Sequence, residues 1–293
     1  VAQLQVTLEV AVGDLDAVDG ALELAGALSQ TYQADDGTVL LEPGVGEHPL
    51  WERVRVDALF PAGTDVDALH ALLAGQLGDR LQGWRAETLE DRAWEREWLD
   101  HFQPMAFGDR LWIVPTGADP ELPPGAVAIR LDPGLAFGTG THETTALCLQ
   151  WLDGEAIEGL HGLDYGAGSG VLAVAAVRLG AASCMAVDND PQAVIASREN
   201  AERNRVAERV PSFAVDQRPA YCADFLLANI LAATLVELAD ELRSAVRIGG
   251  RLALSGILQG QEQRVMDAFQ GNIAWDTPQS RGDWVLVSGT RTA

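Results

Sequence analysis

Leu163-Asp164-Tyr165-Gly166-Ala167-Gly168-Ser169-Gly170 is the stretch on which the fold turns. An apolar strand runs into a glycine-rich turn, and the turn opens onto the helical segment VLAVAAVRLG (171–180). Glycine lets backbone approach a ligand closely, and the first turn of a helix offers N–H groups with no partner inside the helix. Eighteen residues after Gly170, Asp188 closes the apolar run Cys184-Met-Ala-Val187. A carboxylate at that place can accept hydrogen bonds from both hydroxyls of a ribose. Turn, helix start and acid together describe a nucleoside-binding crevice at the carboxyl ends of parallel strands.

Outward from this stretch, residues after about 141 repeat strand and helix, the mark of a parallel α/β sheet. Strands are expected at 161–165, 183–187, 211–215, 224–228 and 251–255, and helices at 141–152, 170–180, 191–204, 231–246 and 261–270. The segments 272–276 and 283–290 alternate with no helix between them, which predicts a terminal antiparallel hairpin. Before this region, 111–114 and 127–131 read as short strands around a Pro-rich loop.

The first ninety residues have a different rhythm. Leu4, Val6, Leu8 and Val10 alternate as in a strand over 3–10. Leu15, Val18, Leu22 and Ala25 share a helical face over 14–27. A strand near 28–33, a polar loop from Asp35 to Pro49, a strand at 53–60, a helix at 65–77 with Asp65 at its start and a strand near 84–90 complete a βαββαβ order, the ferredoxin-like pattern. Residues 91–102, carrying Trp94, Trp98 and Leu99, read as a linker helix with a packing stripe. The expected organisation is a small α+β domain over 1–90, a linker over 91–104 and a Rossmann-like α/β domain over 105–293.

Composition narrows the function. The chain has 293 residues and a net charge of −23, from 43 acids and 20 bases, and no base is lysine. A strongly acidic chain argues against direct nucleic-acid binding, because phosphate contacts need a basic surface. Without lysine there is no Walker phosphate loop and no Schiff base. Residues 1–90 hold 16 acids and 4 arginines, a charge of −12, and the rest of the chain carries −11. That density offers either a face for a basic partner or a surface suited to salt. Cys148, Cys184 and Cys222 are too far apart for a zinc knuckle or a disulfide framework, so each is expected in a core and no metal site is expected. No apolar run approaches the ~18 residues of a membrane span, and residues 1–10 do not read as a signal peptide. The expectations are a cytoplasmic location, no membrane and a monomer.

Two further stretches carry chemistry. Asp224-Phe-Leu-Leu-Ala-Asn229 ends a strand on an Asn whose side chain can accept an N–H from an amine held at that edge. As a bare strand end, Asn229 is equally a turn residue. Phe137, Gly138, Thr139 and Thr141 lie in a Gly-rich loop that feeds a helix, where hydroxyls and N–H groups converge on a carboxylate or the polar end of a cofactor. His142 closes that loop, as a general base or as a structural residue. The crevice has two candidate occupants, a dinucleotide and S-adenosyl-L-methionine. The spacing G-x-G-x-G and the strand-ending Asn229 favour the second over the G-x-G-x-x-G of a dinucleotide site. Asp164, Gly166 and Gly168 of the turn are then candidate cofactor contacts.

The runs LDPGLAFGTGTHETT (131–145), LDYGAGSGVLAVAA (163–176), AVDNDPQAVIASRENAERN (186–204) and LLANILA (226–232) resemble the PrmA family, the bacterial methyltransferases of ribosomal protein L-eleven. WEREWLDHFQPMAFGDRLWIVP (94–115) is similar to the linker and domain start of that family. The loop FGTGTH combined with ANILA is the specific part; the glycine turn alone is common to many methyltransferases. Glu143 stands where such loops often carry Pro, and Ala167 where Cys is frequent. The resemblance implies a class I methyltransferase domain and transfer of methyl groups from S-adenosyl-L-methionine to the α-amine and lysine ε-amines of a basic large-subunit ribosomal protein. It further implies cofactor contacts at Thr145, Gly166, Asp188 and Asn229, with Asn229 orienting the amine as the catalytic residue. The alternatives are a methyltransferase for a small molecule or another protein and, more distantly, a nicotinamide-dependent oxidoreductase.

The excess of carboxylates points to a chain whose self-repulsion is screened by salt. Its melting temperature is expected to climb steeply with KCl, and a flat profile across about 0.1–2 M would overturn that expectation.

Overall fold

The computed structural model describes residues 3–34, 53–89, 103–132, 142–269 and 271–293. The expected loop at 35–49 and nearly all of the expected linker over 91–104 lie outside them. The chain divides into two compact units, residues 1–94 and 95–293.

In the first unit, β1 (Gln3–Ala11), α1 (Leu15–Leu24), β2 (Ser29–Ala34), β3 (Arg53–Phe60), α2 (Val66–Leu77) and β4 (Gln82–Leu89) follow the expected order. The strands lie β2-β3-β1-β4, with every adjacent pair antiparallel. Leu4, Val6, Leu8 and Val10 are buried on one face, against Val54, Val56 and Phe60 of β3 and the helix residues Val18, Leu22, Leu69 and Leu73. Removing these apolar surfaces from water drives the two helices onto one face. Asp65 caps α2, its carboxylate accepting from the N–H groups of Asp67 and Ala68 at 3.0 Å each. Helix α1 ends three residues before the expected 27, in a turn closed by Ala27 N–H on the Leu22 carbonyl at 3.0 Å.

The second unit opens with β5 (Met105–Phe107), β6 (Leu111–Val114) and β7 (Val127–Arg130), which form a separate three-stranded sheet. There follow α3 (Glu143–Gly154), β8 (His161–Tyr165), α4 (Val171–Arg178), β9 (Ser183–Asp188), α5 (Pro191–Arg203), β10 (Ser212–Ala214) and β11 (Ala223–Asn229). Then come α6 (Ala232–Glu237), α7 (Ala239–Ser244), β12 (Val246–Leu258), α8 (Glu262–Ala268), β13 (Ile273–Trp275), β14 (Gln279–Arg281) and β15 (Trp284–Arg291). The large sheet has the order β10-β9-β8-β11-β12-β15-β13, with β14 also on β15. β10 to β12 are parallel, and β15 runs antiparallel to β12 and β13, so the terminal segments pair as expected.

The central strands are apolar on both faces because helices cover both. Phe225 and Leu227 face one core with α3 and α4, while Leu226 and Ala228 face the other with α6, α7 and α8. The chain leaves β8 toward β9 on one side and later returns to β11 on the other. A crevice opens at that reversal, outside the carboxyl ends of the strands.

Four expectations need correction. The helix expected over 231–246 is two helices that break at Leu238. The strand expected at 251–255 is the middle of the longer β12. β5 and β14 were not anticipated. Cys148 and Cys184 are buried as expected, but Cys222 is exposed. No helix of the described residues is long and apolar enough to cross a membrane.

Candidate functional site

The site is built at the end of β8. Gly166 has φ +72°, and a Cβ there would lie 2.3 Å from Ile230 Cγ2. Gly170, with φ +73°, starts α4, and a Cβ there would meet Ser197 Oγ at 2.3 Å. Both positions therefore require glycine, for conformation and for room. The N–H groups of Gly166 and Ala167 donate to the Val187 carbonyl at 2.8 and 3.0 Å, which ties the turn to the end of β9.

Asp188 sits where β9 ends. Its Oδ2 accepts from Gly168 N–H at 2.8 Å and its Oδ1 from Asp190 N–H at 2.9 Å. Each carboxylate oxygen can accept further hydrogen bonds. Asn229 ends β11, and its Nδ2 donates to Thr145 Oγ1 in α3 at 3.3 Å. Its Oδ1 is buried and has no partner among the described residues. A buried acceptor left open is costly unless something fills it.

Thr145, Gly166, Gly168, Asp188 and Asn229 line one cavity of about 220 Å³, together with Ala167, Val171, Leu172, Asn189 and Ile230. The structure thus brings together five residues singled out in the sequence, from α3, the glycine turn, β9 and β11. The last five escaped sequence reading. Asn189 and Ile230 directly follow two singled-out residues, a signal that could have found them.

Asp164 is placed differently. It does not line the cavity but lies beneath the turn, 0% exposed. Its Oδ2 accepts from Ala173 N–H at 3.1 Å, and its Oδ1 has no partner among the described residues. Burial pushes its pKa up to about 7; the Ala173 N–H pulls down and the Asp188 charge pushes up. It thus stands in the core against α4, apart from the residues that line the cavity. His142 caps α3, its Nδ1 accepting from Thr144 N–H at 3.4 Å and pairing with Thr144 Oγ1 at 2.8 Å. It also packs edge-on against Trp284, with ring centroids 5.0 Å apart. Of its two readings, the structural one fits this placement. Phe137, Gly138, Thr139 and Thr141 lie outside the described residues.

The family described as ribosomal protein L11 methyltransferase (PrmA) matches residues 2–292. The chain belongs to the PrmA family. A curated relative named ribosomal protein L11 methyltransferase, from Halorhodospira halophila, is 87% identical over 292 residues, covering 100% of both chains. A protein of the same name from Alkalilimnicola ehrlichii is 52% identical, covering 98% of each chain. The crystal structure of a ribosomal protein L11 methylase from Lactobacillus delbrueckii subsp. bulgaricus matches with a TM-score of 0.59 and 29% identity, over 66% of this chain and 99% of that one. PrmA membership decides between the occupants that the glycine spacing left open: the crevice is that of a methyltransferase, and the oxidoreductase reading falls.

Asp164 gives a test of the ground beneath the turn. Unfolded, this carboxyl ionises near 3.8; folded, near 7. Between those values the folded state holds the extra proton, so the group's contribution to stability is full at low pH and lost as pH rises toward 7. The stability of Asp164→Asn relative to the unsubstituted chain is expected to rise by roughly 2 kcal/mol between about pH 5.5 and 7. Denaturant unfolding of both proteins across that range measures it, and a constant difference would contradict the burial argument.

Proposed function

We propose that this chain transfers methyl groups from S-adenosyl-L-methionine to the α-amine and lysine ε-amines of ribosomal protein L11. The observation that carries the reading is the shared cavity: one carboxylate at the end of β9 and one open amide oxygen at the end of β11, on either side of the glycine turn. The residues present fit the cofactor. Asp188, held by two backbone N–H groups, is oriented to accept from ribose hydroxyls, and Gly166 and Gly168 allow close approach of the turn. Phe137, Gly138, Thr139 and Thr141 are assigned by the sequence to the polar end of the cofactor.

S-adenosyl-L-methionine would supply a methyl on a sulfonium: an amine nitrogen would bond to that carbon in line as the carbon–sulfur bond broke, with S-adenosyl-L-homocysteine leaving as the neutral thioether and little demand for acid catalysis. The protein's work is therefore alignment and exclusion of water. Asn229 Oδ1 accepts an N–H of the incoming amine and turns its lone pair toward the methyl. Thr145 Oγ1 accepts from Asn229 Nδ2 and so fixes which way the amide faces. An amine must arrive neutral, and the α-amine, with a pKa near 8 against about 10.4 for lysine, loses its proton more readily. No side chain is assigned as base; the proton leaves to water.

Residues 1–90 are assigned to substrate recognition, with 91–104 as linker and 105–293 as the catalytic domain. The dense negative charge of the first unit suits a basic ribosomal protein. The protein is taken as a cytoplasmic monomer that does not bind nucleic acid directly.

The deciding experiment incubates the enzyme with purified L11 and S-adenosyl-L-methionine and reads the mass of L11. Mass gains in steps of about 14 Da on the α-amine and lysines are expected, and an unchanged mass would overturn the reading. Asp188→Ala is expected to weaken cofactor binding by at least tenfold in calorimetry, consistent with loss of hydrogen bonds to a charged acceptor. Asn229→Ala is expected to lower kcat by about a hundredfold, with a much smaller change in cofactor affinity.

A further inference from the structure

Helix α5 carries an inward stripe of polar side chains that the proposed chemistry does not use. Ser197, Asn200 and Asn204 are 1%, 7% and 6% exposed, spaced three and four residues apart on one helical face. Each reaches a different element. Ser197 Oγ is 3.0 Å from Ser212 Oγ of β10. Asn200 Nδ2 donates to the Ser169 carbonyl of the glycine turn at 2.8 Å. Asn204 Oδ1 accepts from Arg130 N–H of β7 at 2.7 Å, and its Nδ2 donates to the Arg130 carbonyl at 2.8 Å and to the Asn200 carbonyl at 2.9 Å. Arg203 also donates to Asn200 Oδ1, which fixes which end of that amide faces the turn.

The head of the same helix is clipped to the acid of the cavity. Asp190 caps α5 through Gln192 N–H at 2.8 Å, and its own N–H donates to Asp188 Oδ1 at 2.9 Å. The turn and the acid are thus both referenced to one helix, the acid at its N-cap and the turn at its third turn. Gly168 N–H donates to Asp188, and the carbonyl of the following residue, Ser169, accepts from Asn200 of α5. Two ties one residue apart hold the backbone of the turn.

We infer that Asn200 is a positioning residue for cofactor binding, holding the glycine turn at its distance from Asp188 through the Ser169 carbonyl, and that Asn204 anchors it by tying α5 to β7. The inference rests on the proposed use of the cavity for S-adenosyl-L-methionine. In the folded enzyme, losing the donor removes one tie on the Ser169–Gly170 peptide, whose Gly170 N–H still donates to the Ala167 carbonyl at 2.8 Å, and so loosens the cofactor before it affects the methyl acceptor.

The test compares the full chain with Asn200→Ala, Asn200→Gln and Asn204→Ala, with Val265→Ala as a control. Val265 is fully buried among the residues around α6 to α8. Its truncation lowers stability without touching the turn. Calorimetry with S-adenosyl-L-methionine and steady-state kinetics with L11 are run well below every melting temperature. Asn200→Ala is expected to raise the cofactor Kd and KM about tenfold, the loss of one buried hydrogen bond, with kcat at saturating cofactor within about twofold. Asn200→Gln, which keeps an amide donor, is expected to recover part of the affinity, Asn204→Ala to shift Kd by a few fold, and Val265→Ala to melt earlier with Kd unchanged.

Equal Kd values for the unsubstituted chain and Asn200→Ala would overturn the inference. So would a fall in kcat alone, a matching Kd rise in the control, or the failure of all three asparagine variants to fold, which would make these residues determinants of folding instead. If the unsubstituted chain itself binds no S-adenosyl-L-methionine, the assignment of the cavity fails.

Discussion

The hydrogen bond from Gly168 N–H to Asp188 Oδ2, at 2.8 Å, is the contact on which the site depends. It joins the turn after one strand to the end of the next. It forms only because β8 and β9 are parallel and in register, with Tyr165 opposite Val187. An antiparallel pair would put the two ends at opposite edges of the sheet. The remaining geometry follows. With β11 on the other flank of β8, Asn229 reaches the same edge from the opposite side. The cavity is therefore a consequence of strand order, and its chemistry comes from which residue each strand ends on.

Two carboxylates near the turn sit in contrasting surroundings. Asp188 faces the cavity, and a backbone N–H reaches each of its oxygens. Asp164 is sealed beneath, with one N–H for two oxygens. Desolvation of the buried charge outweighs the single hydrogen bond and pushes the Asp164 carboxyl up to about 7.

Much of this was legible in the sequence, and the misses have physical causes. The glycine turn, the acid eighteen residues on and the Asn at a strand end could be placed because strand ends and glycines have fixed roles in a parallel sheet. The placement of Asp164 off the cavity was not legible, because a strand residue two positions before the first glycine of the turn gives no sign of the side it faces; alternation turns it into the core. The break at Leu238 left no trace, since Leu231, Leu235, Leu238 and Leu242 keep one helical period across it. The three-residue strands MAF and QSR are too short to show alternation. β12 outran its expected length because it takes in Arg247-Ile-Gly-Gly250, across which its register on β11 shifts from Val246 opposite Ala223 to Arg251 opposite Phe225. Asn200 and Asn204 carry no signal in the sequence, because their partners Ser169 and Arg130 are distant in the chain.

The charge of −23 does little for the fold directly. Among the described residues, pairs such as Arg53–Glu9 and Arg80–Asp14 are half exposed, where an ion pair contributes about 0–1 kcal/mol. Arg251 is a better-placed arginine: it meets Glu155 at 2.6 Å and Asp276 at 2.8 Å, joining the end of α3 to the segment between β13 and β14. Even there the partners keep contact with water, so the gain is geometric more than energetic. Stability must come from the apolar cores, and precision from buried amide and carboxylate ties that have no alternative partner. Those ties concentrate around the glycine turn, at Asp164, Asp188, Asn200 and Asn204. A surface rich in acid can therefore vary with its solvent while the site it surrounds stays fixed by a handful of hydrogen bonds.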